Sequence, residues 1–158
     1  MVKIPTEPLL FDLYYGGAST TLDEVPVTEE TPQFKDIYIN NVVCHGAARA
    51  MFFNGLPEMN VSNVNINNVT IVANRGAEIV ESDGVKLNNV RVIAAQGPNL
   101  ILHNAKNIEI ANFTGNEDEL PKINISGKNS KTVNILGKYE VLVDESANDD
   151  EVKRFLEY

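Results

Sequence analysis

The sequence predicts an all-β protein, a right-handed parallel β-helix of about five rungs that forms a single domain over residues 1–158. The first observation is a seven-residue pattern that occurs three times, as DIYINNV at 36–42, NVNINNV at 63–69 and GVKLNNV at 84–90. The second is that the pattern continues, less closely, toward the C-terminus. The third is that helical periodicity appears nowhere between residues 34 and 143, which favours strands throughout that region.

The first strand of each repeat is marked by two apolar residues with one residue between them. Alternation with a period of two places both side chains on one face, and β-branched residues suit a pleated strand. Successive pairs are separated by 27, 21, 23 and 25 residues. The pairs are Ile37/Ile39, Val64/Ile66, Val85/Leu87, Ile108/Ile110 and, more faintly, Val133/Ile135.

An asparagine two residues after each of the first four pairs predicts a sharp bend. Asparagine tolerates the left-handed backbone that lets a chain turn within one residue, and its side chain can hydrogen-bond locally. Bends that stack on one another should therefore form a ladder of asparagine side chains. The residues concerned are Asn41, Asn68, Asn89 and Asn112.

A second apolar cluster, 13 or 14 residues further along each repeat, predicts a second strand. These clusters lie around Phe52, Ile79, Ile101 and Ile123. Leucine-rich repeats have a similar period and are the alternative fold. In those repeats the asparagine falls three residues after the last strand leucine and a helix or 3₁₀ turn follows. Here it falls two residues after and a second strand follows, which favours the β-helix.

The two ends of the repeat region differ from it in composition. Residues 16–33 are rich in Gly, Pro, Thr and acid and predict a long surface loop. Residues 144–158 predict an acidic C-terminal helix or tail, because Val152, Phe155 and Leu156 recur at helical spacing after the possible N-caps Ser146 and Asn148. Such a helix would cover the last rung.

Charge and composition exclude several classes of partner. With 13 basic and 22 acidic residues the formal charge is -9, so nucleic acid and anionic membrane surfaces are not expected to bind. The single cysteine, Cys44, rules out an internal disulfide and is expected to be a small buried apolar residue. We expect no cofactor and no metal. The sequence contains no signal peptide and no apolar run near the roughly 20 residues that cross a bilayer.

Three segments resemble a known family. EPLLFDLYYGG at 7–17, TPQFKDIYINNVVCHGA at 31–47 and AMFFNGLPEMNVSNV at 50–64 are similar to the C-terminal rungs of bacterial glycoside hydrolase family 28, the polygalacturonase family. The resemblance covers roughly two thirds of the chain, in linear order. It implies a right-handed parallel β-helix, export to the periplasm or cell exterior, and hydrolysis of pectin-type polysaccharide with inversion and without a metal.

The catalytic motifs of that family are not present. The chain has no NTD and no RxK motif, and its only adjacent aspartates, Asp149 and Asp150, lie in the acidic tail. CHG at 44–46 differs from the family's GHG in its first residue, so His45 is not assigned a catalytic role. We therefore predict no catalytic residues. The chain would be the C-terminal fragment of a pectin-degrading hydrolase, inactive alone; the alternative is a free-standing carbohydrate-binding or structural solenoid.

Tyr14 and Tyr15 are the candidate substrate-binding residues. The resemblance implies that an aromatic residue in this place lines the sugar cleft. The alternative is that one ring packs inside the first rung while the other lies on the surface. His103, after the strand NLIL, is expected to be an ordinary strand-end residue.

The N-terminal rung is the predicted site of self-association. A parallel strand without a neighbour offers unpaired backbone groups and apolar side chains to another chain. We expect a homodimer, or a larger assembly, built on residues near Leu9 to Tyr15.

Overall fold

The computed structural model describes residues 5–14 and 24–155. Within these ranges the chain forms seven β-strands and one short 3₁₀-helix, and no α-helix is present. The elements in chain order are β1 Leu9–Asp12, β2 Lys35–Asn54, β3 Val61–Thr114, β4 Lys122–Ser126, β5 Lys131–Leu136, β6 Glu140–Val143, the 3₁₀-helix Asp149–Glu151, and β7 Val152–Phe155.

Every strand pair in the sheet is parallel. Ile37 of β2 lies opposite Val64 of β3, Ile108 of β3 lies opposite Val133 of β5, and Val133 lies opposite Val152 of β7. The separations in sequence are 27, 25 and 19 residues. The all-β class and a long parallel sheet are thus confirmed, and two of the predicted repeat spacings are strand registers.

Strand β3 bends and returns to contact itself. A straight strand of its 54 residues would extend for roughly 180 Å, at about 3.3 Å per residue. Instead, Asn89 donates from Nδ2 to Oδ1 of Asn68 at 3.1 Å, 21 residues earlier. Asn104 likewise donates to Oε1 of Glu81 at 2.6 Å, 23 residues earlier. Successive repeats within β3 therefore lie side by side.

The bends occur at the predicted asparagines. Asn41, Asn68, Asn89 and Asn112 all have left-handed backbones, with φ between 50° and 61°. Gly137 continues this column with φ 121°. Asn68 donates to Oδ1 of Asn41 at 2.6 Å and accepts from Asn89, so the predicted asparagine ladder is present across three repeats.

A second column of left-handed residues precedes each apolar pair, five residues before the first column. The sequence analysis did not predict it. Its members are Asp36, Asn63, Gly84, Asn107 and Thr132. Each four-residue strand segment of the type Ile37–Asn40 is therefore bounded by two sharp bends.

The core consists of the inward side chains of these segments. The predicted apolar pairs from Val64/Ile66 to Val133/Ile135 are at most 1% exposed. Cys44 is buried at 8% exposure, as predicted. In the second strand of the repeat, the inward residues are Phe53, Leu100 and Leu102, whereas Phe52 and Ile101 are only partly buried. The predicted centres of those two clusters were wrong by one position.

The prediction of a C-terminal helix was wrong. Asn148 does act as an N-cap, since its Oδ1 accepts from the Asp150 N–H at 3.1 Å, but the helix that follows is a three-residue 3₁₀ turn. Val152 then enters β7 and is buried opposite Val133. Pairing with β5 satisfies backbone groups and buries Val152, and this outweighs the weak helical spacing of so few apolar residues. Leu156 lies outside the described residues.

Candidate functional site

Six strand segments place their outward side chains on one surface, here called the groove face. Its first row consists of the residue between the two members of each apolar pair, and its second row of the residue that follows each pair. The rows are defined by strand register and by two side-chain contacts between repeats. The first row is Tyr38, Asn65, Lys86, Glu109, Asn134 and Lys153, and the second row is Asn40, Asn67, Asn88, Ala111, Leu136 and Phe155.

The second row changes character halfway along. Its first three members are amides, and Asn88 donates from Nδ2 to Oδ1 of Asn67 at 3.1 Å. Its last three are Ala111, Leu136 and Phe155, and the ring of Phe155 remains 45% exposed. The groove face thus has an amide half and an apolar half, and an aromatic ring lies at its C-terminal limit.

A groove of about 550 Å³ follows these rows from Asn65 to Phe155. The side chains of both rows form its lining, and the buried pairs Val64/Ile66, Val85/Leu87 and Ile108/Ile110 lie behind it. Because neighbouring strands are about 4.8 Å apart, the groove crosses the strands in steps of that length. An elongated ligand in the groove would meet a new pair of side chains at each step.

The groove contains one ion pair. Lys86 Nζ lies 3.5 Å from Glu109 Oε2, and the two side chains are 55% and 58% exposed. Such an exposed pair adds little to stability. Its effect is to neutralise the two charges that line the groove.

Several amide atoms of the groove lack a partner within the protein. Among the described ranges 5–14 and 24–155, Asn134 makes no side-chain hydrogen bond, and Asn88 uses only its Nδ2 group. An amide offers both donors and acceptors in a fixed plane. These groups are available to a polar ligand.

Tyr14 does not reach the groove. It follows β1, which pairs with the segment Met51–Asn54, whereas the groove face is built on segments such as Ile37–Asn40. Its backbone N–H donates to Asp12 Oδ1 at 3.0 Å. Burial, and then the nearby carboxylates of Glu81, Glu58 and Asp12, raise the pKa of Tyr14 above its ordinary value of 10.0.

The position of Tyr14 matches neither reading of this residue fully. Its side chain is partly buried, and the neighbouring groups are carboxylates. Tyr15, the second predicted substrate-binding residue, lies outside the described residues. The assignment of both tyrosines to a sugar cleft stays a prediction.

The two histidines do not form a catalytic site. His45 is exposed on β2. His103 Nδ1 lies 2.8 Å from Ser126 Oγ, and Ser126 in β4 is the register partner of His103. Hydrogen bonds from Ser146 lower the pKa of Asp144, but no hydrogen bond links Asp144 to His103 among the residues described. A hydrolytic triad requires that third group to orient the imidazole.

Metal and membrane sites were also examined. In the described part of the chain, no group of three or more His, Cys, Asp or Glu side chains is arranged to hold a metal ion. No helix in that part is long and apolar enough to span a bilayer.

The groove was missed at the sequence level although a signal for it was present. The pattern INNV contains two asparagines, and only the second was interpreted, as the bend. Alternation places the first, which is Asn40, Asn67 or Asn88, on the outward face. Phe155 was assigned to a helix, so its position beside Leu136 was not foreseen.

Comparison with known proteins does not identify the chain. No family model matches it, and no curated protein or solved structure is significantly similar. The groove, its two rows and its ion pair are therefore the observations on which a function can be argued.

Proposed function

We propose that the chain is a right-handed parallel β-helix whose groove face binds a carbohydrate without cleaving it. The observation that carries the proposal is the pairing of unpartnered amides with an exposed aromatic ring along one groove. The parallel registers and the two columns of left-handed residues support the β-helix. A β-helix repeats one supersecondary unit and so presents matched side chains at regular steps.

The lining chemistry suits a sugar. Each sugar ring has hydroxyl groups around its edge and apolar C–H faces, so it needs amphipathic partners. Asn88 and Asn134 supply donors and acceptors, while Leu136 and Phe155 supply apolar surface. Binding sites for small molecules typically combine an apolar lining with a few convergent polar groups.

Cleavage is not part of this proposal, because the groove holds too few carboxylates. Glycoside hydrolysis ordinarily uses two, about 5 to 9.5 Å apart depending on the stereochemical outcome. Glu109 is the only acid that lines the groove, and it is paired with Lys86. Purified protein should release no reducing sugar from polygalacturonate or rhamnogalacturonan.

A second proposal concerns origin. The segments at 7–17, 31–47 and 50–64 support descent from the C-terminal rungs of a polygalacturonase-like hydrolase. On that proposal the parent protein is exported, acts on pectin-type polysaccharide and carries its catalytic aspartates in rungs upstream of this chain. Sequencing the gene upstream tests it: NTD and GHG motifs within about 200 residues before Met1, a length that fits one more β-helical domain, would support it.

Isothermal titration calorimetry with a panel of tetrasaccharides tests the carbohydrate proposal. The expected result is saturable binding that Phe155→Ala weakens at least about tenfold, or 1.4 kcal/mol. Leu142→Ala is the matched control, since Leu142 is an exposed apolar residue at 63% that does not line the groove. Binding that is unchanged in Phe155→Ala, or no binding to any sugar, would contradict the proposal.

A further inference from the structure

The charges around the groove limit which carbohydrate it can take. Lys86 is the only cation in the lining, and Glu109 neutralises it at 3.5 Å. The other polar groups in the lining are amides, which carry no charge. A uronic acid unit would thus find no free cation in the lining.

Acidic side chains stand beside the amide half of the groove. Asp36 accepts at Oδ1 from Asn63 at 2.7 Å, and Asp83 accepts from Asn107 at 2.7 Å. Asp36 is itself a member of the column of left-handed residues that borders the groove face, and Asp83 immediately precedes the Gly84 bend of that column. Both carboxylates are bonded to neutral amides, so their charges are not cancelled.

One cation stands at the C-terminal limit of the first row. Lys153 is exposed and lies opposite Asn134, but it does not line the groove. The chain as a whole carries a formal charge of -9. At low salt this field repels a polyanion over distances of about 10 Å or more, beyond the reach of one peripheral lysine.

We propose that the groove selects an uncharged oligosaccharide over an acidic one. This inference rests on the proposed function and specifies its ligand class. The hydroxyl groups of a neutral sugar match amides that both donate and accept, and its apolar ring face matches Leu136 and Phe155. The carboxylates of a uronate chain would face Glu109 on one side and the Asp36 and Asp83 column on the other.

A pair of ligands that differ only in charge tests the selectivity. Tetragalacturonide and its fully methyl-esterified form share one skeleton, and neutral tetraoses of glucose, xylose, mannose and galactose extend the comparison. We expect the ester, or one of the neutral tetraoses, to bind at least about tenfold more tightly than tetragalacturonide at low salt. Neutral binding should be insensitive to added salt, because screening acts on charges.

The variant Glu109→Gln tests the cause. Removing this carboxylate leaves Lys86 unpaired in the groove, so affinity for tetragalacturonide should rise while affinity for neutral sugars stays the same. Lys86→Gln is the matched control and should not improve binding of the acid. A circular dichroism spectrum like that of the wild type would show that both variants fold.

The outcomes separate the two levels of the proposal. Tetragalacturonide binding as tightly as its ester, or more tightly, would overturn the selectivity and leave carbohydrate binding in place. Unchanged affinity for the acid in Glu109→Gln would also overturn the assigned cause. Absence of binding to every sugar would overturn both the selectivity and the proposed function.

Discussion

Single residues in left-handed backbone fix the bends of this protein. Eleven non-glycine residues in the described ranges have positive φ, and seven of them are asparagines. A non-glycine residue tolerates this conformation poorly unless, like Asn or Asp, its short polar side chain can bond locally. Asn68 shows why the residue type matters, because its side chain also bonds to the repeats on both sides.

Asn68→Val should therefore destabilise the fold by roughly 1 to 3 kcal/mol, because it combines a β-branched residue at positive φ with the loss of two side-chain bonds. Asn88→Thr should cost far less, since Asn88 has no positive φ and makes only one side-chain bond. Urea denaturation of both variants measures the difference. Equal midpoints for wild type and Asn68→Val would remove the ladder from the account.

Tyr14 gives the fold a specific response to high pH. Its pKa is raised in the folded state by burial and then by the carboxylates of Glu81, Glu58 and Asp12. The folded form thus holds the proton more tightly than the unfolded form. This contribution to stability is complete below the ordinary pKa of tyrosine and is lost as pH rises through the folded pKa.

The matched variant is Tyr14→Phe, which has no group to ionise. The difference in unfolding free energy between wild type and Tyr14→Phe should be constant at neutral pH and should shrink above about pH 10. Urea titrations at a series of pH values measure it. A difference that grows with pH in this range would mean that the phenol ionises more easily in the folded state.

Strand β7 is the element that sequence reasoning misread. Periodicity over Val152, Phe155 and Leu156 is a short signal, and it is compatible with a helix or with a strand that alternates imperfectly. What decides is the preceding strand β5, whose edge supplies hydrogen-bonding partners for β7. That information is tertiary and does not appear in residues 144–158.

Val152→Asp should destabilise the protein by at least about 2 kcal/mol, because it places a carboxylate in the apolar site beside Val133. Lys153→Asp is the control, since Lys153 is the exposed neighbour in the same strand. Thermal melts of both variants provide the measurement. Similar melting temperatures would indicate that Val152 is not buried in the last strand.

The N-terminal strand carries the prediction of self-association at the scale of the whole molecule. Within the described residues β1 pairs only with β2, and Leu10 is 48% exposed. Ile37 and Ile39 in β2 are partly exposed, whereas their counterparts Val64 and Ile66 are buried. Unpaired edges and apolar side chains of this kind favour association.

Leu10→Lys should shift a homodimer toward monomer in sedimentation velocity, since a charge would enter the apolar contact. Leu142→Lys, which alters an exposed residue of β6, is the control and should leave the association unchanged. A wild-type protein that is a stable monomer at micromolar concentration would contradict the prediction.

The bends and the core pairs could be predicted because they depend on local properties. Asn68 is written in the sequence as a residue suited to left-handed backbone, and Val64 and Ile66 as an alternating pair. The groove depends instead on register between repeats of unequal length. That Leu136 lies beside Phe155 follows from a 19-residue return that no spacing in the sequence announces.

The central claim is that successive repeats stack in parallel, so that distant residues share one groove face. Spin labels on cysteines introduced at Tyr38 and Lys153, in a Cys44→Ala background, test it directly, because both positions are exposed. They lie in the first and sixth segments of the first row. Five strand-to-strand steps of about 4.8 Å predict an electron-resonance distance near 24 Å, broadened by the labels. A distribution centred beyond about 35 Å, more than seven such steps, would contradict the stacking and with it the groove.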